Sequence, residues 1–250
     1  MTVIELYKHF DNLFPKELSC EWDNDGLMCC PEPSREARRA LVCLDVTDEA
    51  VDAAIEGGFD VIISHHPLIF KGIKAINGEN FVSRKAIKLI RTGLSVMSFH
   101  TRLDAVSGGV NDILADLLGV KDTEPFGDGI GRIGNLSAPT ELFAFAKSLK
   151  DTLGASTISV ADAHRKVLRV AVLGGSGKDE IEAAIAAGAD THVSGELGHH
   201  ALTDAPEMNI NLIEAGHFYT EAPVCKFLAD TLTALGIETE IYDSNKIKQI

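Results

Sequence analysis

The sequence predicts an α/β fold made by duplication, with mostly parallel sheets covered by helices. Short runs rich in Val and Ile alternate with amphipathic stretches of helical length, the pattern of parallel strands joined by helical crossovers. The chain also repeats itself. Displaced by 130 residues, "DEAVDAAIEGGFDVIISHH" (Asp48–His66) falls on "KDEIEAAIAAGADTHVSGE" (Lys178–Glu196) without a gap. Ala53, Ala54, Ile55, Gly58, Asp60 and Ser64 then meet identical residues. Displaced by 117, "SVMSFHTRLD" (Ser95–Asp104) falls on "LIEAGHFYTE" (Leu212–Glu221), and "LLGV" (Leu117–Val120) on "ALGI" (Ala234–Ile237). Two matches in the same order favour duplication over chance.

The elements of the two halves correspond one by one. A strand (Leu41–Leu44; Val167–Leu173) leads to an amphipathic helix (about Asp48–Glu56; Asp179–Ala187). A second strand follows (Asp60–Ile63; Asp190–Val193), then a helix (Ser83–Arg91; Leu197–Asp204). A third strand (Leu94–Ser98; Asn209–Glu214) precedes a long helix (Val110–Leu118; Pro223–Leu235). The final "IETEIY" (Ile237–Tyr242) alternates as an edge strand does. "EPFGDGIGRIGNLSAP" (Glu124–Pro139), rich in Gly and Pro, reads as the seam, giving halves 1–126 and 127–250.

Composition narrows the function. With 45% hydrophobic and 24% charged residues, 250 residues can bury a sizeable core. A formal net charge of -14 repels a phosphate backbone, so extended nucleic-acid binding is not expected, while a single nucleotide can still be held locally. Cys20, Cys29, Cys30, Cys43 and Cys225 form no zinc-finger spacing, and their odd number argues against a disulfide framework. No basic-then-apolar leader and no apolar run near ~18 residues occurs, so a reduced, cytoplasmic location without membrane insertion is expected.

"DVIISHHPLIFKG" (Asp60–Gly72) sets two adjacent histidines at the carboxyl end of a strand that Pro67 cannot continue, where α/β proteins bind ligands. After the third strand of each half comes the same pattern, His100-x-x-x-Asp104 and His217-x-x-x-Glu221. One such pair is common in cores and caps. Three strand ends gathering imidazoles and carboxylates, without cysteine, carry the ligand chemistry of Zn, Fe, Mn or Co. Successive side chains of an extended chain point apart, so His65 and His66 suit two neighbouring ions better than one.

"SHHPLIF" (Ser64–Phe70), "HTRLD" (His100–Asp104), "GHFYTE" (Gly216–Glu221), "EWDNDGL" (Glu21–Leu27) and "SGELGHH" (Ser194–His200) together resemble the GTP cyclohydrolase I type 2 homologue family, also called Nif-three-like dinuclear metal-centre proteins. The resemblance spans nearly the whole chain. It implies two divalent metal ions per subunit held by His65, His66, Asp104, His217 and Glu221. Glu221 would touch both ions, with His65 and Asp104 on one and His66 and His217 on the other. It further implies two interlinked α/β domains and a homo-oligomer, a hexameric ring whose metal sites face a central cavity. The 130-residue offset leaves no room for the extra domain that some members insert between the halves.

His100 and Glu196, the repeat partners of His217 and His66, are candidate proton shuttles; plain packing and a surface helix start are the alternatives. His199 and His200 can line the same cavity, whereas His9, His164 and His192 have no partner pattern and read as structural or solvated. "VLGGSGKDE" (Val172–Glu180) is either an anion-cradling glycine loop or a tight turn; Asp179 after the lysine rules out a phosphate-binding Walker loop. Trp22, beside carboxylates in "WDND", is a packing residue or a stacking platform for a purine or pterin ring. The reading is a metal-dependent hydrolase acting on a small, nucleotide-like substrate. The alternatives are a non-catalytic metal-binding scaffold and a regulatory interaction protein. Loss of formate from the guanine ring of GTP comes with the family label alone, since no guanine-reading N-K-x-D motif occurs.

Overall fold

The computed structural model describes residues 1–248, which divide into two compact units. The first comprises Met1–Leu103 and Val224–Lys246; the second comprises Asp104–Pro223 with Ile247 and Lys248. The chain thus leaves the first unit and returns to it, a division different from the two sequence halves.

In the first unit, strands β1 (Gly26–Cys29), β2 (Arg39–Cys43), β3 (Val61–Ser64) and β4 (Ser95–Ser98) combine with β11 (Glu238–Ile241). They form a five-stranded sheet ordered β1-β4-β3-β2-β11. Only β1 runs antiparallel to its neighbour. β11 is an edge strand, as its alternation predicts, and it pairs in parallel with β2. Every residue of β3 is buried, which is why Val61, Ile62 and Ile63 form an apolar run rather than an alternation. Leu41, Cys43, Ile62 and Val96 pack with Val51 and Ala54 of α2 (Asp48–Glu56) and Leu89 of α3 (Phe81–Thr92). Phe10 of α1 (Val3–Leu13) stacks on Phe99 at 5.3 Å, with Phe14 edge-on at 5.5 Å and itself 6.0 Å from Phe227. Phe227 belongs to α10 (Pro223–Ala234), the returning helix. α2 matches its sequence-predicted bounds, since Thr47 caps it by accepting the Ala50 N–H and two acids occupy its first turn.

The second unit holds β5 (Lys121–Phe126), β6 (Gly131–Thr140), β7 (Ser159–Ala161), β8 (Val167–Ser176), β9 (Thr191–Glu196) and β10 (Asn211–Glu214) in the order β5-β6-β8-β9-β10-β7. Its centre, β8-β9-β10, is parallel, and antiparallel strands flank it. Alternate residues feed two cores. Val170, Val172, Val193 and Ile213 meet Leu114 of α5 (Val110–Leu117) with Phe145 and Leu149 of α6 (Leu142–Leu153). Ala171, Leu173 and Leu212 meet Ile181 and Ala184 of α7 (Ile181–Ala186) and Leu197.

One expectation is corrected here. Glu124–Pro139 is no seam but most of the β5–β6 hairpin, because its glycines serve the turn and close packing: a Cβ at Gly134 would strike the Lys121 carbonyl. The repeat itself is visible in register. Ala40 to Cys43 pair with Val61 to Ser64, and 130 residues later Val170 to Leu173 pair with Thr191 to Ser194.

Candidate metal centre

In the first unit the ladder carries the chain past the end of β3. The His66 amide still donates to the Leu44 carbonyl at 2.9 Å, while Ser64 Oγ donates to the His66 carbonyl at 2.8 Å. Off the strand, side-chain alternation lapses, and the His65 and His66 rings lie 5.1 Å apart, tilted by 38°. His65 is fully buried, and its Nδ1 meets the Phe99 carbonyl at 2.9 Å. A carbonyl can only accept, so Nδ1 carries the proton and Nε2 the lone pair. His66 Nδ1 meets Asp45 Oδ1 at 2.7 Å, the same arrangement with a carboxylate as acceptor. His100 lies 5.3 and 5.7 Å from these rings, and one ring nitrogen of each of the three falls within 4.8 Å of the others.

Asp23 and Asp25, left unread as individual side chains by the sequence analysis, hold His100 in place. Asp23 Oδ1 accepts from His100 Nδ1 at 3.0 Å, and its Oδ2 accepts the Thr101 N–H and hydroxyl at 3.1 and 2.7 Å. Burial pushes the Asp23 carboxyl up, but the His100 hydrogen bond and charge and the Thr101 donors outweigh it and hold it well below the usual carboxylate range. Asp25 receives Nε and Nη2 of the fully buried Arg102 at 2.9 and 3.1 Å, Lys16 Nζ, and the His100 amide at 3.2 Å. Burial again acts upward and these partners win, so Asp25 is also lowered. A D-x-D pair in a loop and a lone Arg after "HT" were the available signal, but nothing local links residues 77 positions apart. Trp22 proves 63% exposed, set edge-on to Phe70 and His100 at 6.1 and 6.2 Å, so it is no packing residue.

In the second unit β10 gives way to the short helix α9 (His217–Glu221), one turn of which puts both ends on one face. His217 Nε2 lies 3.1 Å from Glu221 Oε2, and His217 Nδ1 meets Glu196 Oε1 at 2.9 Å. Asp104, on α4 (Thr101–Ala105), is buried and brings a carboxylate oxygen within 4.8 Å of one from Glu221, itself 4% exposed. Two carboxylates so close in a buried setting repel, and a cation between them relieves that repulsion.

The glycine loop has a structural task. The amides of Gly174, Gly175 and Gly177 donate to Asn111 Oδ1, Thr220 Oγ1 and the Glu196 carbonyl, so these donors are engaged inside the fold and do not form an anion cradle. A Cβ at Gly175, whose φ is +66°, would collide with Glu221 Oε1 and come within 3.1 Å of His217 Nε2. Gly175 is thus absent as a side chain so that Glu221 can be present, a role the sequence analysis missed. Glu196 holds His217. His199 and His200 stand at the start of α8 (His199–Asp204) with rings 5.5 Å apart and join no metal-ligating group among the described residues. His192 is wholly buried, and burial draws its imidazole down to about 4, which makes it a neutral core residue.

Donor sets of this composition suit divalent cations, and comparison with known proteins agrees with the motifs. The family model described as Duf34/NIF3 (NGG1p interacting factor 3) matches residues 1–249. A "GTP cyclohydrolase 1 type 2 homolog" of Clostridium perfringens is 32% identical over 90% of this chain and 88% of its own length. A "Protein NIF3 homolog" of Schizosaccharomyces pombe is 30% identical over 96% and 94%. The reduced form of HcgD from Methanocaldococcus jannaschii superposes with a TM-score of 0.86 at 27% identity, covering 96% of this chain and 97% of that one. Strand-end histidines, paired carboxylates and a match that runs the length of the chain meet in one conclusion, that this protein belongs to the Duf34/NIF3 family.

Proposed function

We propose that the chain is a metal-dependent hydrolase with a dinuclear centre. His65 and Asp104 would hold one divalent ion and His66 and His217 the other, with Glu221 a ligand to both. The observation that carries this reading is the donor inventory of each unit. One offers oriented imidazoles at the end of β3; the other offers one imidazole and two buried carboxylates. Neither set alone gives two ions three or four ligands each. His100 directly precedes the short helix that carries Asp104.

Two ions at such a site supply Lewis acidity and an activated water nucleophile. The protein's own residues do the rest. Asp45 and the Phe99 carbonyl fix the tautomers of His66 and His65, and Glu196 does so for His217. His100, backed by ionised Asp23, is set to accept and return a proton at its Nε2. Glu196 is the other proton relay. The substrate is small and nucleotide-like, and the assembly is a homohexameric ring. The cytoplasmic reading rests on the odd number of cysteines, five, which argues against a disulfide framework; among the described residues no helix is long and apolar enough to cross a membrane. The test is metal analysis of purified protein, then a panel of nucleotides and phosphoesters assayed with the metal found. Two equivalents of metal with turnover of one class is the expected result. A protein that loads metal fully and turns over none of them loses the hydrolase reading.

A further inference from the structure

A cavity of about 860 Å³ opens in the first unit beside His66. Asp45, His66, Phe70, Lys71, Lys74 and Lys85 are among its lining residues. Lys85 is the unusual one. It is 8% exposed, on α3, and among the described residues its ammonium donates one hydrogen bond, to the Val46 carbonyl, and lies over the Phe81 ring at 5.4 Å; Asp45, Asp48 and Glu49 act on its charge from beyond ion-pair distance. An ammonium carries three donors, and burying one against a neutral acceptor costs free energy that a nearby anion would offset. Lys71 and Lys74 add two exposed cations to the same lining. The apolar part of the lining includes the aromatic residues Phe70 and Phe81. Phe70 is 46% exposed and pairs edge-on with exposed Trp22, and Asn24 Nδ2 ties the Trp22 loop to the Ile69 carbonyl. An exposed aromatic face beside one buried and two exposed cations suits a flat ring joined to an anion.

We infer that this cavity binds a planar aromatic ring bearing a phosphate group, with Lys85 the phosphate-recognising residue, Lys71 and Lys74 supporting it, and Phe70 the ring-stacking face. The inference deepens the hydrolase reading, on which it rests, by naming the ligand class and the residues that select it. His66 on the cavity wall puts such a ligand beside the proposed ions.

Calorimetric titration of the full chain with guanosine 5′-monophosphate, guanosine and inorganic phosphate tests it, on zinc-loaded protein and on protein dialysed against chelator. The nucleotide binds more tightly than either fragment. Lys85→Met weakens the nucleotide about tenfold or more, the worth of a charge-assisted hydrogen bond, and leaves guanosine unchanged. Lys85→Arg recovers part of that loss. Phe70→Leu weakens nucleotide and guanosine alike by several-fold, on the order of one stacking contact. The Lys85 effect has the same size with and without zinc, which separates it from phosphate bound to metal. No nucleotide binding by the parent protein overturns the inference, as does a Lys85→Met affinity within about twofold of the parent. If Lys85→Met fails to fold, Phe70→Leu, at an exposed position, decides: unchanged affinities there overturn the site. Binding that follows this pattern without turnover of any substrate defeats the hydrolase reading and keeps the site. Turnover with a KM indifferent to Lys85→Arg and Phe70→Leu does the reverse.

Discussion

Asp60 and Asp190 perform one task in the two sheets. Asp60 Oδ2 accepts the backbone N–H groups of Arg38 and Arg39 at 2.9 and 3.0 Å, and Asp190 Oδ2 accepts those of Leu168 and Arg169 at 3.0 and 2.7 Å. The correspondence extends to the arginines. Arg39 donates to the Gly57 carbonyl and Arg169 to that of Ala187, the residue 130 places on. Each aspartate satisfies two amides where a strand enters the sheet, so replacing Asp190 by Ala leaves partly buried donors without their acceptor. The expected cost is about 1–3 kcal/mol in urea unfolding; a loss below about 0.5 kcal/mol would contradict this account.

Asp60 also predicts a pH dependence. Burial raises its carboxyl, but the Arg38 and Arg39 amides and Arg35 outweigh burial and hold it below its ordinary value. A carboxyl lowered in the folded state stabilises fully above its unfolded value, near ~3.9, and this contribution disappears as pH falls through the folded value. Stability of the parent chain should therefore fall more steeply below about pH 4 than that of Asp60→Asn. Parallel acid-unfolding curves would remove Asp60 from the explanation.

Gly175→Ala should empty the metal centre with little effect on the sheet. The new methyl enters the space of Glu221 Oε1 and crowds His217 Nε2. Gly188→Ala is the control, because its φ of +85° carries the same backbone strain while its Cβ would meet only Arg169, at 3.7 Å. Metal content after identical dialysis should drop in Gly175→Ala alone. Equal metal in the two variants would mean that Gly175 does not make room for the ligand.

Asp104 and Glu221 should differ in what their loss does. A bridging Glu221 neutralises both ions, so Glu221→Gln should lower occupancy at both positions, whereas Asp104→Asn should empty mainly the position shared with His65. Metal per chain for the two variants decides. Equal losses refute an asymmetric bridge.

Glu196→Ala removes the acceptor from His217 Nδ1. Loss of such an outer partner lowers metal affinity by about 10–100-fold, and competition with a chromophoric chelator should find this. Retention of parent affinity would leave Glu196 without a positioning role.

Sequence alone determined the duplication, the parallel strands at the core of each sheet, and the two His-x-x-x-acid pairs at strand ends. All of these are local periodicities or short motifs, and a helix brings residues four apart to one face whatever surrounds it. Tertiary structure decided which chain segments complete each sheet. β11 joins the first sheet and the Gly- and Pro-rich Glu124–Pro139 stretch becomes a hairpin, since pairing partners are chosen by packing and not by the strand's own residues. It also decided that Asp23 and Asp25 anchor His100 and Arg102 across a separation of 77 positions, and that Gly175 is vacant for the sake of Glu221. Hydrogen bonds and excluded volume act between neighbours in space, and a chain's sequence orders its neighbours only along one dimension.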